Sequence, residues 1–284
     1  MTTPALTRPA IMGILNVTPD SFSDGGAFAD FAKAVEYAVK MWTDGAQYID
    51  IGAESTRPGA KEIPPTMQLA RLLPVLKEVR KQTGGIISID TRSAEVAVAC
   101  LDEGASCIND VSALRHDPKM AGLLARSSCE VILMHMQGTP ETMQDRPAYT
   151  DVVAEIAAFF QERAAFCREL GLAPNRLWFD PGFGFGKTHE HNLEIMRKFR
   201  TFESTGLKLA AGVSRKGFLS RLSGEKDPAR RDRVSIAAGL YLAERGAMLL
   251  RVHDVAGHVA ALRVRDTLRD LETKLSAREG RDAE

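Results

Sequence analysis

The 284-residue chain has no charge imbalance, with 37 basic residues against 37 acidic ones. Net charge therefore gives no sign of a nucleic-acid or membrane partner, and any anion site has to be local. No apolar run is long enough to span a bilayer. The opening MTTPALTRPA has no apolar segment of the signal-peptide kind. The four cysteines, Cys100, Cys107, Cys129 and Cys167, form no C-x-x-C pair and sit among apolar or small residues. They read as buried free thiols rather than a redox pair. Asn16-Val17-Thr18 matches a glycosylation sequon, which without an export signal is expected to be chance. These absences fit a reduced, cytoplasmic compartment. What is present is an ordinary globular composition, 44% hydrophobic and 26% charged. A chain of this length can bury a large core, and barrels of alternating strands and helices reach this size as one domain.

Two phosphate motifs are also missing from the stretch most suited to carry them, LWFDPGFGFGK at 177–187. A P-loop needs four residues between its first Gly and the Gly-Lys pair, and Gly182 and Gly186 enclose three. The strict alternation of glycines also breaks the dinucleotide fingerprint. What the stretch offers is a short apolar run with Asp180 at its end, a strand stop at Pro181, and Phe183 and Phe185 between glycines. An anionic acceptor, a flat apolar surface and bare backbone suit a flat heteroaromatic ligand, with the glycines as clearance for it.

Along the chain, short apolar strands alternate with amphipathic helices in eight units. Strands are expected at 11–15, 48–51, 86–89, 107–108, 131–134, 177–179, 209–211 and 248–252. Helices are expected at 30–44, 66–82, 94–103, 118–127, 151–170, 192–202, 234–244 and 255–275. Asp44-Gly45-Ala46, Glu103-Gly104-Ala105 and Arg245-Gly246-Ala247 recur between a helix and a strand, where Gly supplies a left-handed helix stop. Strands alternating with helices imply parallel pairing through right-handed crossovers. The fold class is α/β, a single-domain (β/α)₈ barrel over 1–275, with 276–284 as a charged, disordered tail. A doubly wound open sheet is the runner-up.

In such a barrel the carboxyl ends of the strands form the active face. Asn16, Asp50, Asp90, Asn109, Asp110, His135, Asp180, Ser214, Arg215, Lys216, Arg251 and His253 stand there. One strand-end polar residue is commonly a turn former, as Asp110 is expected to be. A ring of them predicts a convergent pocket. Asp90, Asn109 and Asp180 offer acceptors and one amide, which match a 2-amino-4-oxo-pyrimidine edge. Asn16, Arg251 and His253, from the first and last strands, suit a phosphate group with a metal ion. His189 and His191 have no third ligand at zinc spacing and read as surface loop residues.

Taken together, NVTPDSFSDGG at 16–26, ESTRPGA at 54–60, SIDT at 88–91, IND at 108–110, LMHMQG at 133–138, DPGFGFGK at 180–187, SRK at 214–216 and RVHDV at 251–255 resemble the dihydropteroate synthase family. The motifs keep the family's order from the first strand to the eighth. The resemblance implies a homodimeric pterin-binding barrel of folate biosynthesis, and a sulfonamide target. It would join 6-hydroxymethyl-7,8-dihydropterin diphosphate to 4-aminobenzoate by a dissociative displacement. It implies that Asp90, Asn109, Asp180, Gly212 and Lys216 hold the pterin, with Met134 and Phe185 at its faces. Asn16, Arg251 and His253 would hold the diphosphate, with Mg²⁺ on Asn16. Phe22, Thr56, Arg57 and Pro58 would belong to closing loops that, with Ser214 and Gly217, shape the aminobenzoate pocket. The groups implied in catalysis are Asp90, Asp180, Lys216, Arg251, His253 and Arg57.

Two positions depart from the family pattern. Ala53 stands where a glycine is usual, which requires φ below zero or strain. Gly217 stands where a hydroxyl residue is usual, which leaves its backbone N–H for the aminobenzoate carboxylate. Two other functions remain as alternatives. One is a non-catalytic pterin-binding paralogue. The other is a methyltetrahydrofolate-binding methyltransferase domain, which would not account for ESTRPGA, SRK and RVHDV together.

Overall fold

The structure, a computed structural model, describes residues 8–18 and 26–282, with the backbone alone for 26–29 and 276–282. The eight strands are β1 (Ala10–Asn16), β2 (Tyr48–Gly52), β3 (Ile86–Asp90), β4 (Cys107–Asp110), β5 (Glu130–Met134), β6 (Leu177–Asp180), β7 (Lys208–Ala211) and β8 (Leu249–Val252). Each pairs in parallel with the next, and β8 returns to β1, which closes the barrel and rules out the open sheet.

Side-chain alternation sorts every strand into two environments. Ile49 and Ile51, Ile87 and Ile89, Val131 and Leu133, and Leu177 and Phe179 point outward into one continuous core beneath the helices. The alternate positions point into the barrel. There Met12, Tyr48, Cys107, Ile132, Trp178, Ala210 and Leu249 fill the lower interior. At the amino-terminal mouth Glu130 accepts from Tyr48 Oη at 2.7 Å and Trp178 Nε1 at 2.9 Å. Lys208 Nζ lies 4.0 Å above the Trp178 ring. The barrel is thus plugged at one end, and its polar residues are left at the other. All four cysteines are free and buried, as their apolar surroundings imply.

The helices are α1 (Gly26–Thr43), α2 (Pro65–Gln82), α3 (Ala94–Asp102), α4 (Pro118–Arg126), α5 (Val152–Glu169), α6 (His189–Arg197), α7 (Gly217–Ser223), α8 (Asp232–Ala243) and α9 (Val255–Asp282). The repeated Gly-Ala stops behave as expected, with φ of 106°, 96° and 94° at Gly45, Gly104 and Gly246.

Several elements differ from the spacing-based expectation, among them α1, which begins at Gly26 rather than at 30. The helix over 192–202 begins earlier, at His189, and stops at Arg197, followed by a 3-10 segment at Phe199–Thr205. Its start is a capping box in which Thr188 Oγ1 accepts from His191 N and His191 Nδ1 accepts from Thr188 N. His189 and His191 are therefore half-buried residues of a helix's first turn, not surface loop residues. Helix α7 is missing from the sequence reading because seven residues ended by Gly224 are too short to show a period. Helix α9 continues past 275 to Asp282, so the backbone of 276–282 is helical.

Asp110 shows how a strand-end acid can be wholly structural. Ala113 and Leu114 both adopt left-handed backbone, with φ of 53° and 63°, which L residues rarely do. The Asp110 carboxylate accepts from Ser112 N at 2.7 Å, Ser112 Oγ at 2.6 Å and Leu114 N at 2.9 Å. It is fully buried. Burial pushes its carboxyl upward, and these three donors oppose the shift. Asp110→Ala should cost about 2–3 kcal/mol, since it strands buried donors and releases the strained turn. The measurement is the urea midpoint of unfolding; an unchanged midpoint would show that the turn holds without its acid.

Candidate active site

At the carboxyl ends of the strands the register brings the predicted ring together. Asn16 lies opposite Gly52, Gly52 opposite Asp90, and Asp90 opposite Asn109. Across the barrel Met134 lies opposite Asp180. The outward neighbours Ile89, Ile108, Leu133, Phe179 and Val252 belong to the core under the helices. Asp90, Asn109, Met134, Asp180 and Arg251 therefore share the inner face.

The floor of this site is an ion network. Arg251 donates from Nε to Asp50 Oδ2 at 2.6 Å and from Nη2 to Asp90 Oδ2 at 3.0 Å. The same Asp50 oxygen accepts from Asn109 Nδ2 at 3.1 Å. Asp50 is fully buried, one layer below the pocket. Its contact takes one N–H of the Asn109 amide, which leaves the side-chain oxygen and the second N–H for a ligand. Arg251 is thus not grouped only with Asn16 and His253; it is tied to two carboxylates. Burial raises the Asp90 carboxyl to about 7, with Arg251 opposing and Asp50, Glu54 and Asp110 adding to the rise.

Asp180 keeps one oxygen for a ligand. Its Oδ1 accepts from Gly182 N at 2.7 Å. A side chain at position 212 would start 3.5 Å from its Oδ2, so Gly212 leaves that oxygen clear. Burial also raises the Asp180 carboxyl, opposed by the Gly182 N–H and by Lys216, Lys187 and Arg251. Beside it lies a flat apolar wall of Val111, Met134, Met136 and Met143, with Phe185 packed against it. Lys216 Nζ sits 4.0 Å from the centre of the Phe185 ring. Burial lowers this ammonium to about 8, with Arg251 lowering it further and Asp180 and Asp90 opposing.

The glycine loop serves packing more than ligand clearance. A Cβ at Gly182 would fall 2.1 Å from the His135 carbonyl oxygen, and one at Gly186 would fall 2.5 Å from that of Gln137. Both glycines let the loop lie against the chain leaving β5. Lys187, next in sequence, is buried and donates to Phe185 O at 2.9 Å and His135 O at 3.2 Å. Its Nζ also contacts His135 Nδ1 at 3.0 Å. Burial, then the neighbouring Lys187 and Arg115, holds the His135 imidazole down at about 2. His135 is therefore a neutral acceptor for Lys187 and does not face the pocket as the ring pattern suggests.

Arg215 also turns away, pairing with Asp232 through Nε at 2.8 Å and Nη2 at 2.7 Å. Its neighbour Ser214 is buried, and Ser214 Oγ accepts from His253 N at 3.1 Å and lies 2.9 Å from His253 Nδ1. Both groups are satisfied when the hydroxyl donates to Nδ1, which places the ring proton on Nε2. Burial, with Arg215 and Arg251 nearby, lowers the His253 imidazole to about 3. His253 is thus a neutral donor at the rim.

The second loop is fixed at its base and open at its tip. Glu54 is buried, accepts from Arg92 Nη2 at 3.0 Å and from Ile63 N at 3.2 Å. Gly59 N donates to Pro140 O at 3.0 Å. Between these anchors Thr56 is half-buried, while Arg57 and Pro58 are exposed. Ala53 is buried without adopting left-handed backbone, so its departure carries no strain. Gly217 opens α7, and a Cβ there would meet nothing within 4 Å. Phe22 lies outside the described residues. Sequence reasoning missed Glu54, Arg92 and Asp232. Each acts through another residue that only the fold brings near.

Comparison with known proteins agrees with this geometry. The family described as pterin binding enzyme matches residues 12–253. The dihydropteroate synthase of Neisseria meningitidis serogroup C is 44% identical over 266 residues, which cover 93% of this chain and 94% of that protein. The Xanthomonas albilineans dihydropteroate synthase with 4-aminobenzoic acid superposes with a TM-score of 0.88 at 43% identity, covering 93% of this chain and 94% of that one. The same enzyme in complex with 7,8-dihydropteroate gives a TM-score of 0.84 at 40% identity, covering 93% and 95%. The chain belongs to the dihydropteroate synthase family of pterin-binding enzymes.

Proposed function

We infer that the chain joins 6-hydroxymethyl-7,8-dihydropterin diphosphate to 4-aminobenzoate, releasing 7,8-dihydropteroate and diphosphate. The observation that carries this reading is the slot between the Met134–Phe185 wall and three acceptors. These are the free Asp180 oxygen, the Asn109 carbonyl oxygen and Asp90. A pterin presents a flat ring and an edge rich in N–H donors, which match that lining.

Asp180, Asn109 and Asp90 accept ring donors, and Lys216 lies along the ring's edge. Met134 and Phe185 cover the faces, and Gly212 leaves room beside Asp180. The diphosphate lies toward Asn16, Arg251 and the His253 Nε2–H. Asn16 would hold a magnesium ion on the diphosphate's side of the site. It brings a hard amide oxygen to the strand's open end, and such ions take one or two protein ligands with the rest from phosphate and water. When bound, the ion neutralises charge that grows on the leaving group.

The C–O bond at the pterin methylene breaks, and its electron pair leaves with the diphosphate. Arg251 and His253 stabilise that developing negative charge. The cation left behind is spread over the pterin and favoured by Asp90 and Asp180. The aminobenzoate nitrogen forms the new C–N bond and then loses a proton. The loop of Thr56, Arg57 and Pro58 closes over the pair and keeps water from the cation. Ser214 and the Gly217 N–H border the aminobenzoate carboxylate. The reading includes a homodimeric, cytoplasmic enzyme. No helix among the described residues is long and apolar enough to cross a membrane.

The test mixes the pterin diphosphate, Mg²⁺ and 4-aminobenzoate and measures both products. Equal amounts of diphosphate and dihydropteroate are expected, and chelating the magnesium should stop their formation. Pterin binding without turnover would make the chain a binding protein instead. Roles separate by mutation. Asp180→Ala should weaken pterin binding about a hundredfold in calorimetry, since a charged acceptor is lost. Arg57→Ala should lower kcat about tenfold with pterin affinity nearly unchanged. Collapse of pterin affinity in Arg57→Ala would remove that residue from the lid.

A further inference from the structure

The turn that carries Ser214 and Lys216 has an unusual residue at its bend. Lys216 N donates to Val213 O at 3.2 Å, so residues 213–216 form a hydrogen-bonded turn. Its third residue, Arg215, has a φ of 59°. That position with positive φ is normally taken by Gly or Asn. An arginine there needs something to hold it.

Three contacts from the segment around α8 do so. Asp232 takes the Arg215 guanidinium in a two-pronged ion pair at 2.8 and 2.7 Å. Ser235 Oγ accepts from Arg215 N at 2.9 Å, while its own hydroxyl donates to Arg231 O at 2.8 Å. Arg231 Nη1 donates to Arg215 O at 3.0 Å, and its other nitrogens hold the carbonyls of Glu225 and Lys226. The side chain, N–H and carbonyl of Arg215 are thus all fixed from one direction. Ser235 and Arg231 are buried.

The bend sends its two neighbours different ways. Ser214 goes to His253, and Lys216 goes across to the Phe185 ring. With φ relaxed below zero at Arg215, the chain beyond it would rotate and Lys216 would leave that ring. We propose that Asp232 and Ser235 are positioning residues, which hold Arg215 in its left-handed turn and so place Lys216 over Phe185. They act at a distance on the pterin site, so their effect on affinity rests on the function inferred above. Their effect on Lys216 does not.

The test reads Lys216 directly, by NMR titration of the isotopically labelled lysine in the ligand-free protein. Lys216 faces Asp180 on β6, Asp90 on β3 and Arg251 on β8, with Lys187 and His253 farther along the rim. In the unaltered chain its titration is expected near about 8, below the ordinary 10.5. In Asp232→Ala and in Ser235→Ala it should move up toward the ordinary value as the ammonium leaves this enclosure. Adding Arg215→Gly to Asp232→Ala should bring it back, because glycine takes the turn unaided. An unmoved titration in both single variants would overturn the proposal. So would a failed return in the double variant, which would mark general loosening of α8. Pterin affinity on the same variants distinguishes the two inferences. A moved titration with unchanged affinity keeps the clamp and removes Lys216 from the pterin site.

Discussion

One guanidinium inside the barrel mouth decides what the rest of the site can be. Arg251 lies between Asp50 below and Asp90 above. Two carboxylates this deep would be costly alone, because burial disfavours their charged forms. A single buried cation between them supports one fully and the other in part. Asp50 keeps the shorter contact, and Asp90 is left with a raised carboxyl. Asp50 also takes the Asn109 amide N–H, so its one oxygen sets the direction of two pocket residues. Its other oxygen has no partner in the structure. The floor is therefore polar enough to be expensive and rigid enough to give a ligand a fixed pattern of acceptors.

The barrel makes that floor possible. Each strand sends alternate residues outward to a continuous apolar core and inward to the interior. The outward set holds the fold together, which frees the last inward residue of each strand for chemistry. The lower interior is apolar and ends in the Glu130, Tyr48, Trp178 and Lys208 plug. The Glu130–Lys208 pair closes the amino-terminal end, and the ring of polar strand-end residues stands at the other.

Much of this is legible in the sequence because it follows local rules. Period two and period 3.6 give the eight units, and the Gly-Ala stops give their boundaries. Strand ends give Asn16, Asp90, Asn109, Asp180 and Arg251 as inner-face groups. Direction is not legible. His135 and Lys187 sit at the expected loops, yet they turn toward each other because the glycine loop packs against the β5 exit. Arg215 stands in a motif but serves the turn, because its partner Asp232 is brought near only by the fold. Gly182 and Gly186 look like ligand clearance until the neighbouring carbonyls are in place. Short elements escape for a related reason: α7 is too brief to show a period, and the α6 cap uses a histidine where Glu or Gln would signal it.

Asp50, buried one layer below the pocket, sets the acceptor pattern above it through Arg251 and Asn109. Asp50→Asn keeps the shape but removes the charge and adds a donor. It should weaken the Arg251 contact and free the Asn109 amide to turn. Calorimetry of pterin binding by this variant, alongside its melting temperature, tests the claim. The account predicts affinity lowered about tenfold or more, with the melting temperature shifted by only a few degrees. Affinity equal to that of the unaltered chain would contradict it.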